Sequence, residues 1–267
     1  KKFFEYCQSH DLALEKKNFS VEYKINIPRL VGLSGSSAIC TAMLKALCEF
    51  YGVKIPLEVA PTLCMEAERD ELGIACGLQD RVVQMYDGVV FMDFDRRLVT
   101  STGHGRYARI DPARMPNLYI AYDPNRAEES GKAHSKVKKL FNENNADVLA
   151  AMSEFADIAQ QGRDAAMSGR KDLLPPLVNA NFDLRDKIFH VAEANKRMVM
   201  TARSAGASAK FAGSGGAIVG TYEDEAQYKR LDKALQGIGC RLLKPRIAAG
   251  DDDVTPDAAF GSAWRNS

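Results

Sequence analysis

The run Arg29-Leu-Val-Gly-Leu-Ser-Gly-Ser-Ser-Ala-Ile-Cys-Thr-Ala-Met-Leu-Lys-Ala-Leu-Cys-Glu-Phe50 passes from a glycine- and serine-rich loop into a helical pattern. A helix start carries unpaired backbone N–H groups and the positive end of the helix dipole, so it is a ready site for an anion. Serine is also a preferred N-cap, which is the structural alternative. One serine would suffice for a cap. Gly32, Leu33, Ser34, Gly35, Ser36 and Ser37 supply three serines and two glycines in six residues, so the stretch reads as a phosphate cradle. The helix it opens is predicted over about 36–51, with Ile39, Met43, Ala46, Leu47 and Phe50 as its apolar stripe.

Upstream, Phe19-Ser-Val-Glu-Tyr-Lys-Ile-Asn-Ile-Pro28 alternates apolar and polar residues without a break. That period predicts a half-buried strand ended by Pro28, and such a strand needs others to pair with it. Downstream, a second helix is predicted from Pro56, a residue favoured in a first turn, to near Leu72. Gly73 and Gly77 bracket a loop, and Gly88-Val-Val-Phe-Met-Asp-Phe94 reads as another strand. Residues 101–116, with two glycines and two prolines, read as the passage between two halves.

The second half opens on a strand, Asn117-Leu-Tyr-Ile-Ala-Tyr122. Helical patterns follow at about 131–143, 146–168, 174–189 and 190–205. In the second of these, Val148, Met152, Phe155, Ala156 and Ala159 mark the buried side. Lys210-Phe-Ala-Gly-Ser-Gly-Gly-Ala217 leads into a short apolar strand, then a helix near 224–236 and a strand at 240–243. The domain reading is therefore 1–114, 115–247 and an acidic tail, 248–267.

Composition narrows the function. With 46% apolar and 27% charged residues the chain can bury a core. A net charge of +1 gives no field that gathers nucleic acid or an anionic membrane, so any anion must be gripped locally. The six cysteines form no C-x-x-C pair and read as reduced structural thiols, which points to a cytoplasmic setting. No apolar run reaches the roughly 20 residues of a membrane span. Because the chain opens on Lys1 rather than Met, residues upstream are expected to be missing.

Neither G-x-x-x-x-G-K-[ST] nor a G-x-G-x-x-G that follows a strand and opens a helix is found, so a P-loop and a dinucleotide fold are both unsupported. A nucleoside triphosphate would have to use the loop at Gly32–Ser37. Two carboxylates attract attention in Glu68-Arg-Asp-Glu-Leu-Gly-Ile-Ala-Cys-Gly-Leu-Gln-Asp80. Phosphoryl transfer needs an acid to hold Mg2+ and often another to orient or deprotonate the attacking hydroxyl. The plain reading of Glu68 is a solvated surface acid among acidic neighbours; the glycines before Asp80 weaken that reading there. Gly213-Ser-Gly-Gly216 is either a tight turn or, following Lys210, a second approach to a phosphate.

The order of these three elements resembles the GHMP kinase superfamily, the kinases of galactose, homoserine, mevalonate and phosphomevalonate. Pro28-Arg-Leu-Val-Gly-Leu-Ser-Gly-Ser-Ser-Ala38 is similar to its phosphate loop with one extra residue, and Lys210–Ala217 to its late glycine motif. Glu68 and Asp80 stand twelve residues apart, as the metal-binding and catalytic acids do in its galactokinase-like members. Gly77-Leu-Gln-Asp-Arg-Val-Val-Gln84, Ser130-Gly-Lys-Ala-His-Ser135 and Asn181-Phe-Asp-Leu-Arg185 are most similar to plant-type glucuronokinases. The likeness runs to about Ile247. A first family motif, which lies upstream of the phosphate loop, has no match before Phe19, so the N-terminal part is expected to be lacking.

The resemblance implies an α+β two-domain fold: an incomplete domain similar to ribosomal protein S5 domain 2, then a ferredoxin-like domain. It implies ATP with its phosphates over Gly32–Ser37, Mg2+ held by Ser37 and Glu68, and Asp80 orienting or deprotonating the sugar hydroxyl, with Arg81 biasing Asp80 toward its charged form. Gly213, Ser214 and Gly215 would close on the substrate side. For a sugar acid phosphorylated at its C1 hydroxyl, the candidate clamps of its carboxylate are Arg185, Lys132 and Arg106. Asn181 and Asp183 would serve sugar hydroxyls, and Asp183 or Asp186 would be the surface ion-pair partner of Arg185 in the structural alternative. The rival readings are another kinase of the superfamily, galactokinase-like or mevalonate-type, and a non-catalytic sugar or nucleotide sensor.

Overall fold

The computed structural model describes residues 1–125, 131–189, 191, 193–213 and 215–248, with the side chains of 131–136, 194 and 195 outside that description. The chain divides into two compact units. One holds Lys1–Asn26, Ser34–Pro112 and the stretch from Ile247; the other holds Ile27–Leu33 and Ala113–Arg246.

The first unit contains α1 (Lys2–Ser9), α2 (Gly35–Tyr51) and α3 (Ala60–Glu66), which runs on into a π-helical turn at Ala67–Glu71. Then come α4 (Gln79–Tyr86), β1 (Val89–Asp93), α5 (Arg96–Thr102) and β2 (Arg106–Ile110). Phe3 and Cys7 of α1 join Leu44, Cys64, Val82 and Tyr86 in one core. β1 and β2 pair antiparallel, Val89 opposite Ile110 and Asp93 opposite Arg106.

Three expectations change here. Residues 19–28 form no strand; Phe19, Val21, Tyr23 and Ile25 are exposed, Tyr23 by 64%. Alternation marks an apolar face, but a strand exists only when its backbone finds a neighbour, and among the described residues none pairs with this one. The stretch 101–116 is not a bare passage, because it carries the end of α5 and all of β2. Its glycines and prolines hide the short alternation that buries Ala108 and Ile110. Finally, the buried face of α2 is rotated from the apolar stripe: Ser37, Thr41 and Leu44 are buried, while Ala46 and Phe50 are exposed. The buried side of the helix Ala146–Met167 differs in the same way, with Val148 and Ala151 in and Ala156 and Ala159 out.

The second unit contains β3 (Asn117–Tyr122), α6 (Gly131–Asn142), α7 (Ala146–Met167), α8 (Leu174–Phe189), α9 (Glu193–Ser204), β4 (Lys210–Phe211), β5 (Ala217–Tyr222), α10 (Glu225–Gln236) and β6 (Arg241–Leu243). Its antiparallel sheet has the order β4-β5-β3-β6. With the helices between β3 and β4 counted as one crossover, this is a β-α-β-β-α-β unit with the ferredoxin-like strand order. Tyr119, Ile218, Leu231, Leu235, Val199 and Phe182 form the core between sheet and helices. Strand 117–122 and the helices at 131, 146, 174 and 225 lie where the sequence periods place them, within about two residues.

Candidate active site

The start of α2 carries no side-chain cap. Ser34 is the N-cap residue, in the left-handed conformation at φ 56°. Ser37 instead turns its hydroxyl back, donating to the Ser34 carbonyl at 2.9 Å. Ser36 is exposed and Ser37 buried. The first-turn N–H groups therefore keep no side-chain acceptor, as an anion site requires.

Gln84 holds this arrangement, and sequence reasoning missed its role. Its amide donates to Ser34 O at 3.2 Å and to Ser37 Oγ at 3.0 Å, and its carbonyl accepts from Thr41 Oγ1 at 3.1 Å. This explains why two hydroxyl residues occupy the buried face of α2. A signal was present: Gln84 stands four residues after Asp80, so on α4 the two share a face with Cβ atoms about 5–6 Å apart. The helix that anchors Ser37 thus presents Asp80 one turn away. Asp80 sits in the first turn of α4 with 46% of its side chain exposed.

Glu68 departs from the solvated-acid reading. It lies in the π-helical turn, fully buried. Arg81, itself 4% exposed, donates its Nε to Glu68 Oε2 at 2.7 Å and adds a second bond to the same oxygen through Nη2. Nη1 donates to Gly77 O at 2.9 Å and passes 3.6 Å from Asp80 Oδ2. The close partner of Arg81 is therefore Glu68, and Asp80 is its looser one. Glu68 Oε1 remains buried with no hydrogen-bond partner. An orphaned carboxylate oxygen suits a divalent cation, and Ser37 Oγ keeps one lone pair beyond its two hydrogen bonds. Mg2+ commonly takes one or two protein oxygens and completes its shell with phosphates and water, so these residues fit the ion. Among the described residues no cluster of three or more His, Cys, Asp or Glu could hold a metal by itself.

In the second unit two glycine stretches meet. Gly32, at φ +77°, leaves room for no side chain: a Cβ there would lie 2.0 Å from Gly215 O. Gly216, at φ +76°, also lies close to the Val31 backbone, 3.0 Å from its carbonyl oxygen for an added Cβ. The late glycine motif is thus packed directly on the chain that enters the loop. Ser214 and Lys132 lie outside what the structure describes. Arg106 stands opposite Asp93 in the register of the β1–β2 ladder.

Arg185 lies on α8 with its guanidinium 5.1 Å from the Phe189 ring centre and 5.2 Å from that of Phe211. Burial holds its pKa below the usual arginine range. The neighbouring acids are committed elsewhere: Asp183 binds Arg203 at 2.6 Å, and Asp186 binds Lys196 at 2.8 Å. Asp183 is thus tied to α9 through Arg203. All six cysteines are free, and among the described residues no helix is long and apolar enough to cross a membrane.

Residues 1–88 match the model of the GHMP kinases N terminal domain. Glucuronokinase 1 of Arabidopsis thaliana is 40% identical over 263 residues, covering 95% of this chain and 72% of its own length. Among solved structures, Lactococcus lactis galactokinase complexed with galactose superposes with a TM-score of 0.68 at 14% identity, over 93% of this chain and 74% of that one. L. major mevalonate kinase in complex with R-mevalonate gives 0.64 at 20% identity, over 80% and 67%. The two structures share the α+β fold, and the plant enzyme shares the sequence over most of both chains. The chain belongs to the glucuronokinase family of the GHMP kinases.

Proposed function

We propose that the protein transfers the γ-phosphoryl group of ATP to the anomeric C1 hydroxyl of D-glucuronate, giving glucuronate 1-phosphate and ADP. The observation that carries this reading is the uncapped start of α2 beside Asp80, with Gln84 joining the two. The N–H groups after Ser34 and the close backbone at Gly32 and Gly35 receive the phosphates. Asp80, half-exposed in the first turn of α4, accepts the proton of the C1 hydroxyl as its oxygen attacks phosphorus. The Pγ–O bond to ADP breaks in line, and no covalent intermediate on the enzyme is needed. Ser37 and the orphaned Oε1 of Glu68 would hold Mg2+, which supplies charge neutralisation for the phosphates when bound. Arg81 fixes Glu68 from its other oxygen, so the free one keeps a constant position.

The substrate follows from charge. A uronate brings a carboxylate whose burial unpaired costs several kcal/mol. Arg185, set against the rings of Phe189 and Phe211, is the side chain we assign to it, and Gly213 and Gly215 are assigned to the substrate side. The compartment we assign is the cytoplasm. The deciding experiment is ADP release from the full-length protein with glucuronate, galacturonate, glucose, galactose and mevalonate. Glucuronate should give the highest kcat/KM; a higher value for galactose or mevalonate would overturn the substrate assignment.

A further inference from the structure

Ser37 Oγ belongs to a set of hydrogen bonds that lies wholly within the first unit. It donates to Ser34 O at 2.9 Å and accepts from Gln84 Nε2 at 3.0 Å. Gln84 Nε2 also donates to Ser34 O at 3.2 Å, and Gln84 Oε1 accepts from Thr41 Oγ1 at 3.1 Å. Ser37 and Thr41 stand four residues apart on α2, on one face, and both are buried. One turn further along, Lys45 Nζ donates to the backbone oxygen of Gln84 at 2.8 Å.

Hydroxyls and a primary amide can bond in either direction, since a hydroxyl both donates and accepts and an amide can turn over. Here the Ser34 carbonyl decides the direction. A backbone carbonyl only accepts, so the NH2 end of Gln84 must face it. Oε1 is then turned to Thr41 and takes the proton of that hydroxyl. Ser37 receives a proton from Gln84 and sends its own to Ser34 O. The whole chain of bonds therefore fixes where the Ser37 proton is, and it is on the backbone.

That state has a chemical consequence. A hydroxyl that binds a cation must offer an oxygen lone pair, whereas one that binds a phosphate offers its proton. A serine at the start of an anion-binding helix could do either. With its proton held by Ser34 O, Ser37 is left as an acceptor.

We propose that Gln84 and Thr41 are positioning residues for phosphoryl transfer: by holding the Ser37 proton on Ser34 O they present Oγ to Mg2+ as a neutral oxygen ligand. The proposal rests on the reading of Ser37 as a metal ligand given above. Thr41 acts through Gln84, and Gln84 acts through Ser37.

The test uses the full-length protein and needs no turnover. Calorimetry gives the Kd of a non-hydrolysable ATP analogue with EDTA and with saturating Mg2+, and the ratio of the two is the gain due to the metal. Thr41→Val and Gln84→Met should each lower that gain about tenfold, the usual scale for a partner that orients a metal ligand. The metal-free Kd should stay within about twofold, and Thr41→Ser, which keeps the hydroxyl, should restore the gain. Lys45→Met removes the other bond between the two helices and should leave the gain alone. On a Ser37→Ala background, Thr41→Val should have no further effect on the gain, because the route through Oγ is already cut. Thr41→Val and Gln84→Met read the same chain of bonds from different helices, so either serves if the other fails to fold. If Ser37→Ala lowers the gain while Thr41→Val and Gln84→Met keep it within about twofold, the inference falls and the metal reading stands. Equal weakening with and without Mg2+ would likewise overturn it, since that is what a merely structural role gives. A gain that Ser37→Ala leaves unchanged would overturn the metal reading and this inference together.

Discussion

Glu68 and Lys210 are both charged side chains drawn out of water, and the molecule treats them in opposite ways. Glu68 is matched within its own unit: Arg81 binds one oxygen twice, and the other is left bare. Lys210 is unmatched, and its charged neighbour, Arg185, makes the mismatch worse. The first arrangement is self-consistent without a ligand and serves to hold a carboxylate oxygen at one point. The second leaves a cation without a matching acid among the described residues.

The largest effect that tests this division should come from Asp80, which belongs to neither pair. Asp80→Asn keeps shape and removes the basic oxygen, so kcat should fall by about 10²–10⁴. ATP affinity, read by calorimetry, should change less than threefold. Because the side chain is 46% exposed, the melting temperature should hold. A variant retaining most of its kcat would remove Asp80 from the mechanism.

Next in size is Arg81→Ala. It strands the Glu68 carboxylate in a site where that side chain is 1% exposed. Breaking one partner of a buried pair costs about 3–5 kcal/mol, or roughly 6–20 °C in melting temperature at about 2–4 °C per kcal/mol. Thermal unfolding that shifts by less than 2 °C would show that Glu68 does not depend on Arg81. The balanced side of the comparison would then fail.

Gly32→Ala should come third. The residue sits at φ +77° and its Cβ would meet Gly215 O at 2.0 Å. A strained backbone costs about 1–3 kcal/mol, and the displacement should raise the KM for ATP more than it lowers kcat. Ser37→Ala is gentler, since its Oγ makes one bond to Ser34 O and one from Gln84. It should lower stability by about 1 kcal/mol and raise the Mg2+ concentration for half-maximal rate, whereas Ser34→Ala should leave the Mg2+ titration alone. Superimposed Mg2+ titrations for wild type and Ser37→Ala would exclude Ser37 as a ligand.

How far the sequence could be read depended on whether local pattern or distant partners decide the outcome. Residues 19–27 alternate apolar and polar, and residues 118–122 are an unbroken apolar run; both patterns suit a strand. Only the second stretch is a strand, because β5 and β6 flank it on both edges. Periodicity reports a face to be buried and is blind to whether anything arrives to cover it. The same limit explains α2. Counting apolar residues chose Ala46 and Phe50, while the buried face is set by Ser37 and Thr41, whose hydroxyls are satisfied by Gln84 more than forty residues away. The glycine stretches and Asp80 were legible because their chemistry is local: φ near +77° and a first-turn position are written in neighbouring residues. The burial of Glu68 was not, since its acidic neighbours Glu66, Asp70 and Glu71 pointed to solvent.

The smallest effect is the most diagnostic, because its sign is the opposite of what loss of a buried contact normally gives. If Lys210 is unbalanced charge, Lys210→Met should raise the melting temperature of the ligand-free protein, since it removes a desolvated ammonium and its repulsion from Arg185 while keeping the apolar stem. The pH dependence follows from the same shift. The folded-state pKa of Lys210 lies below the unfolded value near 10.5, so between the two the unfolded chain binds more protons. Wild-type stability should therefore rise as pH climbs through that window, relative to Lys210→Met, and the gap between the two proteins should narrow. Urea unfolding at pH 7 and at pH 10 reads both effects. A Lys210→Met protein less stable than wild type at pH 7 without ligand would show that the lysine is already balanced, and the contrast with Glu68 would disappear.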